Sequence, residues 1–184
     1  MDDGYYKDLD GTDDHYDAQK KYLTGDSSDW TIEMVIQKDT NPAQEFLFDT
    51  GATSNSNKCF SLFALNGNIG LLAYRGSGVN EPYFQTTATS ATIGDWIHIV
   101  ARKIGDDFQI VWADIDVDGH ITSKADIDAL PAGQKTTLTH TGASVVGELQ
   151  HNVVIGARNI TSTADYVNAK FAWLRISNIA RYQN

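Results

Sequence analysis

Val153-Val154-Ile155-Gly156-Ala157-Arg158 and, one polar loop later, Lys170-Phe171-Ala172-Trp173-Leu174-Arg175-Ile176-Ser177-Asn178 decide how this chain folds. The first run is β-branched and closes on a glycine, the pattern of a short buried strand entering a turn. The second alternates. Ala172, Leu174 and Ile176 fall on one face of an extended chain, and Phe171, Trp173 and Arg175 on the other. Neither run has the 3.6-residue period of a helix, so both read as strands.

Working outward, the same signal recurs. Residues 30–36 place Trp30, Ile32, Met34 and Ile36 on one face and Thr31, Glu33 and Val35 on the other. Further strands are predicted over 45–49, 60–65, 69–74, 83–87, 96–103 and 108–117, separated by turn residues such as Asn66-Gly67. One short helix is predicted over 125–130, stopped by Pro131. Many short strands with turns between them indicate an antiparallel sandwich or barrel.

Composition bounds the partners. The 184 residues suffice for one domain with its own core, and a 41% hydrophobic fraction makes the chain globular. The formal net charge is −10, which disfavours nucleic acid and anionic membranes. No run approaches the ~20 apolar residues of a membrane helix, so no membrane insertion is expected. Cys59 is the one cysteine, which rules out an internal disulfide, and it reads as a small buried hydrophobe. No signal peptide is legible, which leaves secretion open. Met1-Asp2-Asp3-Gly4 reads as a start fused to an excised segment, so a module of a larger multimeric protein is expected.

Four segments carry a resemblance. Leu9-Asp10-Gly11-Thr12-Asp13-Asp14-His15-Tyr16, Trp30-Thr31-Ile32-Glu33-Met34-Val35, Gly94-Asp95-Trp96-Ile97-His98-Ile99-Val100, and the closing pair Ile155-Gly156-Ala157-Arg158 and 170–177 are similar, in that order, to motifs of concanavalin A-like (laminin-G-like) lectin domains. The departures are Ala169 for the usual glycine and Ala172-Trp173 for the usual acidic pair. The resemblance implies an all-β fold, two antiparallel sheets packed as a jelly-roll β-sandwich across 1–184, with the first and last strands adjacent. It also implies a non-catalytic carbohydrate-binding module, because this fold commonly carries lectins. A fold hosts many functions, so the site must decide.

Asp114, Asp116 and Asp118 form the most tempting cluster, in Trp112-Ala113-Asp114-Ile115-Asp116-Val117-Asp118-Gly119-His120. On a strand the three share one face. The favoured reading is a hairpin at Asp118-Gly119 with a solvated acidic face. A second is calcium, since three carboxylates suit a hard cation, although Ala125 stands where an EF-hand needs its bidentate Glu. A third is glycoside hydrolysis, which needs two carboxyls ~5–5.5 Å apart with one protonated, and no second motif supports it. His98 reads as a sheet histidine rather than a base. No cofactor is required by any motif, and calcium is the one ion left open.

A sugar site needs a flat aromatic with polar neighbours. The carbohydrate-binding candidates are Trp112, Trp173, Tyr74, Arg75, Tyr83 and Arg175, with Asp114, Asp116 and Asp118 as metal candidates. Trp112 qualifies if Val111, Ala113, Ile115 and Val117 line the core. Trp30 and Trp96 are assigned to the core. The expected partner is a polysaccharide or oligosaccharide, with a bacterial cell-wall saccharide bound by a phage tail or baseplate adhesion protein as the expected setting, which places the domain outside the cell or on a virion. Rival readings are a laminin-G-like protein-interaction module and a divergent glucan hydrolase.

Overall fold

Alternation builds two sheets. In the computed structural model, which describes residues 7–18, 29–40, 44–50, 59–74, 80–87, 93–139, 153–157 and 166–183, the strands are β1 (Lys7–Asp10), β2 (Tyr16–Asp17), β3 (Trp30–Lys38), β4 (Glu45–Asp49), β5 (Cys59–Leu65), β6 (Asn68–Tyr74), β7 (Asn80–Gln85), β8 (Trp96–Ile104), β9 (Asp107–Asp114), β10 (Lys135–Thr139), β11 (Val154–Ile155) and β12 (Asn168–Ser177). For residues 59, 60, 73, 74 and 80–83 the backbone alone is described, so the side chain of Cys59 lies outside the description. One sheet, sheet A, runs β1-β12-β3-β8-β9-β10; the other, sheet B, runs β2-β11-β4-β5-β6-β7. All pairings are antiparallel, and β1 pairs with β12 as the resemblance implies.

One apolar cluster fills the space between the sheets. Trp30, Ile32, Met34 and Ile36 of β3 meet Leu47, Phe48, Leu62, Ile69 and Leu71 of sheet B there. Asn66 (φ 50) and Gly67 (φ 84) form the tight β5–β6 turn that their residue types favour. Gly156 is required by its backbone. Its φ is +82, and a Cβ would lie 2.2 Å from a methyl of Leu9.

Four expectations change. Trp112 is not an outward aromatic: it is 5% exposed in the inter-sheet core with Phe108 and Ile110. Val111 and Ala113 instead face outward, where they are covered by Ile121, Ile127 and Leu130. The phase of β9 was misread because both of its faces are buried, one under sheet B and one under helix α1 (Lys124–Ala129). Second, the acids do not share a strand face. The strand ends at Asp114, and Asp118 N–H and Gly119 N–H bond back to the carbonyls of Asp114 and Ile115, making a helical turn that leads to α1 rather than a hairpin. Third, a bulge between Phe171 and Trp173 resets β12. Ala169 and Phe171 point into the core before it, and Leu174 and Ile176 pack against that core after it. Trp173 and Arg175 therefore share the outer face without Phe171. Fourth, Trp96 is half-buried at the start of β8 and is absent from the core cluster.

Helix α1 forms where expected. Ser123 and Asp126 make a capping box, with the Ser123 hydroxyl accepting from Asp126 N–H and the Asp126 carboxylate accepting from Ser123 N–H. It covers the β8–β9 part of the outer face and leaves the β12 part to solvent. Among the described residues no helix is long and apolar enough to cross a membrane.

Candidate functional site

The site lies on the outer face of sheet A, where β12, β3 and β8 run side by side. Register aligns Trp173 with Val35 and His98, Arg175 with Glu33 and Val100, and Ser177 with Thr31 and Arg102. Every second residue of a strand points the same way, so these rows share the face turned from the core.

Glu33 is the anchor of the cluster and is fully buried. Its carboxylate accepts from Arg175 Nε at 2.5 Å and ion-pairs with Arg175 Nη2 and, at 3.3 Å, with Arg181 Nε. Arg175 Nη2 also donates to the Tyr182 hydroxyl at 3.1 Å. Burial, then the hydrogen bond and charge of Glu33, push the Tyr182 phenol above its ordinary value. The two guanidiniums remain 41% and 34% exposed, so their outer edges stay open to solvent. That of Arg175 lies 5.8 Å from the Trp173 ring centre, and that of Arg181 5.5 Å from the Tyr182 ring centre, within cation–π range.

His98 forms the floor. Its Nδ1 accepts from Ile121 N–H at 3.0 Å, which assigns the proton to Nε2. Nε2 is buried without a hydrogen-bond partner among the described residues. The ring meets Trp173 edge-to-face at 5.1 Å and His120 at 5.7 Å. Burial first, then the neighbouring His120 and Arg175, push its pKa down to about 4, so the ring is neutral at physiological pH.

His98, Trp173, Arg175, Arg181 and Tyr182 line an open cavity of about 430 Å³ on one side of Trp173, within the ~300–1,000 Å³ usual for ligand sites. Thr122 and His120 complete its rim, and no Asp or Glu is among its lining residues. A flat indole, two open guanidinium edges, a phenol and a hydroxyl suit a polar ligand that carries negative charge and one apolar face. On its other side Trp173 walls a more apolar cavity of about 260 Å³ with Lys7, His15 and Tyr16. A third, of about 180 Å³, adjoins it along Tyr16, Ile155 and Leu174.

Of the residues proposed from sequence, Trp173 and Arg175 come together here. Trp112 lies in the core, as described. Tyr74 and Tyr83 belong to β6 and β7 of the opposite sheet, and their side chains lie outside the described residues, as does all of Arg75. Asp114, Asp116 and Asp118 occupy one turn away from the cavity. The Asp114 carboxylate accepts from Asp116 N–H at 3.0 Å, and that of Asp118 accepts from Asp114 N–H at 3.1 Å and Gln134 Nε2 at 2.7 Å. Two of the three carboxylates thus serve the turn's own donors. Among the described residues no group of three or more His, Cys, Asp or Glu gathers as a metal shell. Sequence reasoning missed Glu33, Arg181 and Tyr182 as site residues. A signal for Glu33 existed, a charged residue in the middle of an otherwise apolar strand. None existed for Arg181 and Tyr182, which reach the site through the path of the C-terminal segment.

No protein-family model matches the chain, and no curated protein sequence does. Solved structures do. The NanB sialidase of Streptococcus pneumoniae superposes with a TM-score of 0.69 at 16% identity, over 98% of this chain and 26% of that one. The module described as CBM40 of the Ruminococcus gnavus IT-sialidase superposes at 0.67 and 14% identity, over 98% of this chain and 93% of that one, and the same module is known bound to α2,3-sialyllactose. Domains LG4-5 of the mouse laminin α1 chain superpose at 0.61 and 12% identity, over 94% of this chain and 42% of that one. The chain therefore spans about a quarter of the NanB sialidase. The fold is the concanavalin A-like jelly roll.

Proposed function

We propose that this domain is a non-catalytic carbohydrate-binding module, and that its ligand carries a carboxylate-bearing sugar seated against Trp173. The observation that carries this reading is the cavity itself, in which two arginines and an indole line a pocket without acids in a chain of net charge −10. A sugar C–H face stacks on Trp173, the carboxylate meets the outer edges of Arg175 and Arg181, and Thr122 and Tyr182 serve hydroxyls. The sialyllactose-bound R. gnavus module supports a ligand of this class. Among the described residues Glu33 is the one carboxylate paired with these arginines, and it is fully buried and shared by both, so the described residues supply no acid pair of the kind glycoside hydrolysis needs.

The setting we favour is a glycan-targeting module of a larger multimeric protein acting outside the cell or on a virion, with acidic bacterial cell-wall polysaccharide as a ligand source. Weak single sites would then gain from avidity. The rival is a laminin-G-like protein-contact module, which the apolar cavity beside Tyr16 would serve.

The test is titration of the purified domain with α2,3-sialyllactose, lactose and acidic cell-wall polysaccharide, with and without EDTA. Saturable binding to the acidic glycans but not to lactose, lost in Arg175→Gln, supports the reading. Equal binding to lactose, or no binding to any of them, overturns it. Loss in EDTA would return calcium to the acidic turn.

A further inference from the structure

The C-terminal segment 178–183 does not trail into solvent. It crosses the outer face of sheet A and is held there by buried polar side chains. Thr31, fully buried, donates its hydroxyl to the carbonyl of Ile179 at 2.9 Å and accepts from Arg181 N–H at 2.9 Å. Arg102, 5% exposed, donates Nη1 to the carbonyls of Arg181 and Tyr182, each at 2.6 Å, and is itself oriented by Gln109, which accepts from its Nε at 2.7 Å. Glu33 grips the Arg181 side chain from below. Tyr182 sits at φ 61, a left-handed conformation that a bulky residue keeps only when its surroundings over-determine it. Its ring packs onto the Val100 and Val111 cluster under α1.

Burying a guanidinium against two backbone carbonyls is costly as mere anchorage, since an apolar contact would hold a tail as well. What the arrangement achieves is placement. With Thr31 and Arg102 in position, Arg181 and Tyr182 form the wall of the cavity facing Trp173 and Arg175. Charge follows from the same placement: Arg175 and Arg181 share the one carboxylate of Glu33, leaving about one net positive charge at the mouth, a match for a single carboxylate.

We infer that segment 179–183 is a built wall of the ligand site, and that Arg102 and Thr31, which do not line the cavity, are positioning residues that set its affinity for monoanionic ligands. This rests on the anionic-sugar reading for its ligand, but not for its geometry.

The experiment uses the full chain and two probes. The first is α2,3-sialyllactose affinity in a double-mutant cycle of Arg102→Met against the pair Arg181→Ala and Tyr182→Ala. The expected result is at least a tenfold loss in Arg102→Met, partial recovery in Arg102→Lys, and no further loss when Arg102→Met is added to the wall pair. Unchanged affinity in Arg102→Met, or losses that add in full, overturns the inference. Should Arg102→Met not fold cooperatively, Thr31→Val removes both hydroxyl bonds at similar volume and is expected to give the same loss. The second probe is iodide quenching of Trp173 fluorescence, taken as the difference from Trp173→Phe, with neutral acrylamide as reference. Arg102→Met and Thr31→Val are expected to abolish the excess of iodide over acrylamide; an excess that persists in both overturns the inference even if the wild type binds no glycan. Absent glycan binding with a sensitive iodide excess would overturn the proposed ligand and keep the wall.

Discussion

Glu33 and Glu45 are both buried glutamates paired with cations, and those cations tell them apart. Glu45 on β4 pairs with Lys38 on β3 at 3.0 Å, bridging the two sheets, and both side chains are almost wholly buried, 1% and 5% exposed. The Glu45 carboxylate also accepts from Thr40 Oγ1 and Asn168 N–H. Glu33 is as deeply buried, yet its two arginines stay more than a third open. The first arrangement is closed and joins the sandwich. The second displays charge to solvent and can exchange it with a ligand. A buried acid alone is therefore no sign of a site; the exposure of its cationic partners is.

The sharpest way to break this comparison is to remove a partner from the closed pair. Lys38→Met leaves Glu45 buried without its cation and is expected to cost about 3–5 kcal/mol in urea denaturation, while Lys38→Met with Glu45→Leu recovers most of it. A loss below about 1 kcal/mol would show that water reaches the pair. The two candidate tryptophans sharpen the contrast between core and face. Trp112→Ala is expected to cost about 3–5 kcal/mol in the same assay. Trp173→Ala should remain folded and lose about tenfold or more in α2,3-sialyllactose affinity, near 1.4 kcal/mol. Equal stability losses for both would mean that Trp173 is a packing residue.

Acid titration gives the smallest effects, and they run in opposite directions. Desolvation raises the Glu45 pKa above its ordinary value of 4.5, outweighing Lys38. The folded state then holds a proton the unfolded chain has lost, so the Glu45 contribution is present at low pH and is lost as pH rises from about 4.5 through the raised value. Against Glu45→Gln, the wild type should lose stability over that rise. His98 does the reverse. Its pKa falls from 6.5 to about 4, so the unfolded chain takes up a proton the folded one refuses, and stability is lost as pH falls from 6.5 to about 4. His98→Asn should flatten that acid limb; an unchanged limb would place the titration elsewhere.

Much of the fold was legible. The predicted 45–49 strand is β4 to the residue, and the 30–36, 69–74 and 96–103 strands differ from β3, β6 and β8 by at most two residues at either end. In β3 the row Trp30, Ile32, Met34 and Ile36 is wholly apolar and meets the core, which makes its phase plain. The short helix was legible from its Pro stop. β10, Lys-Thr-Thr-Leu-Thr, was missed because it is half-exposed along its length and has no apolar face to announce it. The phase of β9 was missed for the opposite reason, being apolar on both faces.

The sequence by itself determined an antiparallel β-sandwich or barrel, because periodicity and turn chemistry are local properties, and its four-motif resemblance implied the concanavalin A-like type. It also pointed to Trp173 and Arg175. Tertiary structure alone decided that Trp112 is core, that a bulge at Ala172 parts Phe171 from Trp173, and that His98, Arg181 and Tyr182 join Trp173 and Arg175 around one cavity, with Glu33 buried behind the two arginines. Those residues lie on β3, β8 and the C-terminal segment, and only sheet register and the grip of Thr31 and Arg102 bring them together.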